Sequence, residues 1–150
     1  MTSRPRRSAL YMPASNAKAI EKARSLPCDV VILDLEDAVA PEAKEEARAA
    51  AVAAVQSGGF GGREVAIRAN GLDTEWGAAD LAAIAQSGAD AVLVPKVSSP
   101  QDILACEAAL APARILNNLR NQVVSIGFDG ITHPFSPRAV KSHHRHCTWA

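Results

Sequence analysis

Apolar residues over the first hundred positions come in short, β-rich runs, each followed by a polar turn and an alanine-rich stretch with helical spacing. Ala9-Leu10-Tyr11-Met12 reads as a first strand closed by Pro13, and a helix follows over residues 15–25 until Pro27 ends it. Val30-Val31-Ile32 opens a second strand that runs to Asp34; the run is too short and too β-branched for a helix. Pro41 sits where a first-turn proline belongs, with Glu42 beside the positive end of the helix. Ala43, Ala47, Ala50, Ala51 and Ala54 then recur at helical spacing until Gly58 and Gly59 stop them. Glu64-Val65-Ala66-Ile67-Arg68 is a third strand and Asn70-Gly71 a turn. A helix from near Thr74 to Ser87 is expected to turn Trp76 and Leu81 inward. Ala91-Val92-Leu93-Val94 is a fourth strand ending at Pro95-Lys96, and Ser99-Pro100-Gln101-Asp102 has the spacing of a capping box that opens another helix.

Four βα units in series predict an α/β protein with a parallel sheet and right-handed crossovers, either a doubly wound sheet or a (β/α)8 barrel. Beyond about residue 112 the pattern weakens. Residues 123–128 have strand character, but Gly127-Phe128-Asp129-Gly130 and Thr132-His133-Pro134 read as loop, and the tail to Ala150 has no amphipathic period. The expected division is a βα portion over residues 1–112 and an irregular tail over 113–150.

Composition narrows the function. With 150 residues, 48% of them hydrophobic, the chain can bury the core of one domain. Sixteen basic and sixteen acidic residues cancel, so no global field favours nucleic acid or an acidic membrane, and an anionic ligand must be held by local charges. No run approaches a membrane span, and the apolar stretch after Arg4, Arg6 and Arg7 is too short for a signal sequence. Cys28, Cys106 and Cys147 are odd in number and widely spaced, which suits a reducing, cytoplasmic setting better than a disulfide framework.

The chemistry gathers where strands end, which is where parallel α/β folds place their ligands. Strand two ends in Asp34, Glu36 and Asp37, strand three in Arg68 and Asn70, and strand four in Lys96. Acids from one strand facing cations from two others suggest a site for a metal together with a carboxylate- or phosphate-bearing substrate. Glu36 and Asp37 are adjacent, so in extended geometry only one points into the mouth. Arg68 reads equally as an inward ion-pair partner of Glu36 and as a catalytic group, and Lys96 also has the position of a solvated loop lysine. The run 58–62 is glycine-rich but precedes a strand, so it lacks the context of a phosphate loop. His143, His144, His146 and Cys147 are ligand types without a partner cluster, in a tail without pattern.

With these residues in place, the chain resembles the citrate lyase beta subunit-like family, the HpcH/HpaI aldolase superfamily. The resemblance rests on ordered motifs: residues 7–13 (RSALYMP), 34–41 (DLEDAVAP), 67–70 (IRAN) and 93–97 (LVPKV), with Lys44 and Arg48 also in place. It implies a partial (β/α)8 barrel and a Mg2+-dependent carbon–carbon lyase acting on a 3-hydroxyacyl-CoA thioester of the citryl-, malyl- or citramalyl-CoA type. Arg68 would bind the oxygen-rich head of the substrate, Glu36 and Asp37 would organise metal-bound water without ligating the metal directly, and Lys96 would assist. Arg7 and Lys18 would contact the CoA phosphates. The resemblance further implies that the direct metal ligands, a glutamate and an aspartate of strands five and six, and a catalytic acid from a later segment have no counterparts here. Residues 127–130 with His133-Pro134 look like a remnant of a late family motif. The expectation is thus a truncated or internally deleted paralogue of impaired activity, either a homo-oligomer or associated with a homologous subunit. The alternative is a non-catalytic chain that assembles with a full-length lyase.

Overall fold

A computed structural model describes residues 6–117, 122–126 and 132–134, with side chains over 6–110. Four βα units follow one another: β1 (Ala9–Pro13), α1 (Ala17–Ala23), β2 (Val30–Asp34), α2 (Lys44–Ser57), β3 (Glu64–Arg68), α3 (Gly77–Ser87), β4 (Ala91–Val94) and α4 (Pro100–Asn117). A 3-10 turn, Pro41–Ala43, leads into α2. β5 (Gln122–Ile126) and β6 (Thr132–Pro134) complete the order. The helix α4 passes through Pro112, where the sequence pattern weakens, and ends at Asn117; β5 then pairs with β4. The expectations for residues 127–130 and for His143, His144, His146 and Cys147 lie outside the described residues. His133 and Pro134, read as loop, fall in β6, which runs antiparallel to β5.

Strand order decides between the two architectures left open. The sheet runs β1-β2-β3-β4-β5 with every pair parallel, so each strand neighbours the one before it in sequence. A doubly wound sheet reverses its order at a switch point, whereas a (β/α)8 barrel adds strands in one direction. The described chain is therefore part of a (β/α)8 barrel.

Alternation along the strands confirms the sense. Val31, Leu33, Val65, Ile67, Val92 and Val94 join the helices in one large core. Val30, Ile32, Ala66, Ala91 and Leu93, of opposite parity, form a second and smaller cluster on the other face. The helices are alanine-rich because they lie close on the sheet: Ala47, Ala51 and Ala54 of α2 are buried one turn apart. Asp29 closes the lower end of the sheet, accepting from the Arg7 and Ser8 amides and from the Arg7 side chain. Arg6 pairs with Glu64 at that same end.

Candidate functional site

At the opposite end, where the strands finish, Arg68 is the centre of a charged crown. Asp34 and Arg68 are direct partners in the β2–β3 register. The guanidinium Nε donates to Asp34 Oδ1 at 2.7 Å and Nη2 donates to Oδ2, a two-point fork. Its remaining nitrogen, Nη1, meets Glu36 Oε2 at 2.9 Å and Asp37 Oδ2 at 3.3 Å. Lys96 Nζ lies 3.0 Å from Glu36 Oε1. The ring of Tyr11, on β1, packs 5.5 Å from the guanidinium carbon.

The residues after Asp34 leave strand geometry at once, for a local reason. Asp34 Oδ1 accepts from the Glu36 amide at 2.8 Å and Oδ2 from the Ala38 amide at 3.2 Å, which folds the chain back over the carboxylate. The expectation that only one of Glu36 and Asp37 faces the mouth presumed extended backbone, and it fails here: both reach Nη1. They differ in exposure instead, since the Glu36 side chain is 9% exposed and that of Asp37 67%. Burial alone would raise the Asp34 carboxyl, but the Arg68 fork and the two amides outweigh it and hold it below the ordinary carboxylate value. The fork to Asp34 in turn raises the Arg68 guanidinium further above its already high value. Burial is also the main reason that the Tyr11 phenol is raised, with Asp34 and Glu36 adding to it and Arg68 opposing.

Lys96 is exposed and has a backbone φ of 51°, the one positive φ outside glycine among the described residues. Its pairing with Glu36 raises its ammonium pKa. Lys18 is exposed near the start of α1, at the same end of the sheet as Arg68, since α1 begins just past the end of β1. Arg7 is not at this end. It precedes β1 and pairs with Asp29 below the sheet, because a residue before a parallel strand lies a full strand away from residues after one.

Beneath the crown lies a layer whose Asn70, Lys44 and Arg48 the sequence marks as strand-end and motif positions, but whose linkage through Asp80 it does not show. Lys44 and Arg48 of α2, Asp80 of α3 and Asn70 form a buried polar chain with the Leu35 and Glu36 carbonyls. The signal was there: Lys44 shares the apolar stripe of Ala47, Ala51 and Ala54, and Asp80 that of Leu81 and Ile84. A charge on a buried stripe needs a partner.

Comparison with known proteins agrees with this geometry. The profile of the HpcH/HpaI aldolase/citrate lyase family matches residues 7–126. The chain belongs to that family. A (3S)-malyl-CoA thioesterase of Cereibacter sphaeroides (strain KD131) is 50% identical over 108 residues, 72% of this chain and 38% of that protein. Citrate lyase subunit beta of Escherichia coli K12 is 40% identical over 104 residues, 69% of this chain and 34% of that one. The solved citrate lyase beta subunit from M. tuberculosis, complexed with oxaloacetate and magnesium, superposes with a TM-score of 0.58 at 30% identity, covering 79% of this chain and 46% of that one. The chain thus spans less than two fifths of the length of these curated relatives.

That relative is complexed with magnesium, whereas among the described residues of this chain no group of three or more His, Cys, Asp or Glu side chains is arranged to hold a metal ion. Of the three crown carboxylates, Asp34 and Glu36 are taken up by Arg68, Lys96 and backbone amides, which leaves the exposed Asp37 as one carboxylate open to a cation, too few to ligate a metal directly. The described residues do not fit a directly ligated Mg2+.

Proposed function

We propose that this chain carries the carboxylate-binding part of an enzyme that acts on the CoA thioester of a small hydroxy acid, of the citryl-, malyl- or citramalyl-CoA type, breaking a carbon–carbon bond. The observation that carries the reading is the Arg68 fork. Asp34 fixes the plane of the guanidinium by taking up its Nε–Nη2 edge, which leaves Nη1, shared between the buried Glu36 and the exposed Asp37 carboxylates. An incoming substrate carboxylate or thioester oxygen replaces that exposed contact at small cost, because Asp37 returns to water. As the carbon–carbon bond breaks, its electron pair moves toward the thioester oxygen, and a guanidinium already held in place stabilises the charge without reorganising. Glu36 keeps Lys96 beside the same opening as a second cation, and Lys18 is available to a CoA phosphate. Mg2+ dependence, a cytoplasmic location and an oligomer or homologous partner belong to the same proposal. Relatives with magnesium support the first, and the free Cys28 and Cys106 support the second. No helix of the described residues is long and apolar enough to cross a membrane.

The thioesterase relative favours a second reading, hydrolysis of the thioester in place of carbon–carbon cleavage. Incubating the purified chain with malyl-, citryl- and citramalyl-CoA, with and without Mg2+, separates the two: lyase activity yields a shorter acyl-CoA, hydrolysis yields free CoA thiol. The expected result is product formation that Arg68→Ala abolishes. Thioester binding without turnover would favour the non-catalytic assembly role, and a folded sample that neither binds nor turns over would overturn the proposal.

A further inference from the structure

Lys44 is the first residue of α2 and is 6% exposed. Local physics opposes a lysine there twice. Burial penalises an ammonium, and the positive end of a helix repels it. Its three acceptors are neutral: the Leu35 carbonyl at 2.7 Å, the Glu36 carbonyl at 2.5 Å and Asn70 Oδ1 at 2.8 Å. The face of Trp76 lies 5.4 Å away. Asp34, Glu36, Asp37 and Asp80 are near enough to favour its charge, but burial outweighs them and its pKa is lowered. A residue that breaks local rules in this way is retained for what it holds.

It holds two loops together. Leu35 and Glu36 follow β2, and Asn70 stands two residues beyond Arg68. Asn70 Nδ2 donates back to the Leu35 carbonyl at 3.0 Å and to Asp80 Oδ2 at 2.7 Å, and the Asn70 amide donates to that same oxygen at 2.9 Å. Arg48, one turn after Lys44, donates to Asp80 Oδ1 at 2.7 Å. Glu36 is thereby gripped on both sides, its carbonyl by Lys44 and its carboxylate by Arg68 and Lys96.

We propose that Lys44 is a positioning residue of this site: by drawing the Leu35 and Glu36 carbonyls under the loop and tying them to Asn70, it sets the Glu36 carboxylate against Arg68 and Lys96. The inference rests on the reading of Arg68 as the group that receives the substrate. Lys44 touches no reacting atom, since its ammonium is enclosed and its three hydrogens are matched by three acceptors.

Nitrogen-15 NMR on the whole chain tests it. In the wild type, the Lys44 ammonium is expected to give its own slowly exchanging signal, unlike an exposed lysine. In Lys44→Met, the Arg68 Nη1 hydrogens, which face Glu36, and the amides of residues 35–38 should shift and lose exchange protection, while the Arg68 Nε–H, held by Asp34, and the amides of β2 and β3 keep theirs. A uniform loss of protection through the sheet, or unmoved Arg68 Nη1 hydrogens, would overturn the proposal. Should Lys44→Met fail to fold, Asn70→Ala cuts the tie between the two loops with the lysine retained, and unmoved Arg68 Nη1 hydrogens overturn it there too. Titration with malyl-CoA separates this inference from its premise. Binding that survives Arg68→Ala defeats the premise. Binding lost in Arg68→Ala but unchanged in Lys44→Met defeats the inference, which expects affinity to fall roughly tenfold or more.

Discussion

Asp34 and Arg68 stand opposite one another on adjacent parallel strands and meet through two parallel hydrogen bonds. The sheet register aligns them before any loop is placed, so the geometry of the guanidinium belongs to the scaffold. Their side chains are 3% and 19% exposed. Replacing Asp34 with Asn removes a charge and one acceptor while leaving Arg68 where it is. The expected loss is about 3 kcal/mol, the range for breaking one side of a buried pair. The midpoint of urea unfolding measures it, and a midpoint within error of the wild type would contradict it.

Acid should act through the same carboxyl. Its folded pKa lies below the unfolded value of about 3.9, so its contribution is present above that value and disappears as pH falls through the folded one. Wild-type stability should therefore decline more steeply than that of Asp34→Asn below about pH 4. Asp29 and Asp102 are also held low and remain in both proteins, so the difference between the two profiles isolates Asp34.

Gly77 opens α3 against the loop that follows β3. A Cβ there would press on the backbone carbonyl of Gly71 and on Leu72, neither of which is the end of a flexible side chain. Gly77→Ala is expected to lower stability by about 2 kcal/mol, typical of overpacking, and to displace residues 71–76. Thermal unfolding and the Thr74 amide shift, which reports its bond to the Gly71 carbonyl, check both halves.

Lys96 combines an exposed side chain with a left-handed backbone. Lys96→Gly relieves the backbone and removes the cation, so fold and binding should respond differently. The melting temperature is expected to hold or rise while affinity for malyl-CoA falls. A fall in melting temperature with unchanged affinity would show that the lysine serves the fold alone.

The third and fourth strands are legible in the sequence because β-branched runs there are bracketed by glycine, aspartate and proline. Helix starts are less so. The third helix begins at Gly77, not Thr74, since the Thr74 amide and hydroxyl both bond the Gly71 carbonyl and hold the chain in a turn. Trp76 is left half-buried beside Lys44 instead of inside the helix. Periodicity says which face of a strand is apolar but not which strand lies next to which, so barrel and doubly wound sheet could not be told apart by it. Arg7 illustrates a different limit. It belongs to the same sequence motif as β1, yet motif membership carries no information about which end of the sheet a residue occupies. Asp34 was visible as one of three acids, but its primacy depends on facing Arg68 across the register, which only the pairing of strands reveals.

The sequential order of the strands bears on how the chain reaches its fold. Each parallel strand needs only the strand made just before it, with partners such as Ala9 and Val30 or Ala66 and Ala91 brought together by one intervening helix. A chain leaving the ribosome can therefore add βα units one at a time, and no early strand waits for a distant segment before it finds a neighbour. Asp34 emerges well before Arg68, so its carboxylate is unmatched until the third strand docks. The charged crown thus serves as a marker of assembly, its Asp34–Arg68 pair closing when the second and third units are in register and Lys96 joining only after the fourth strand.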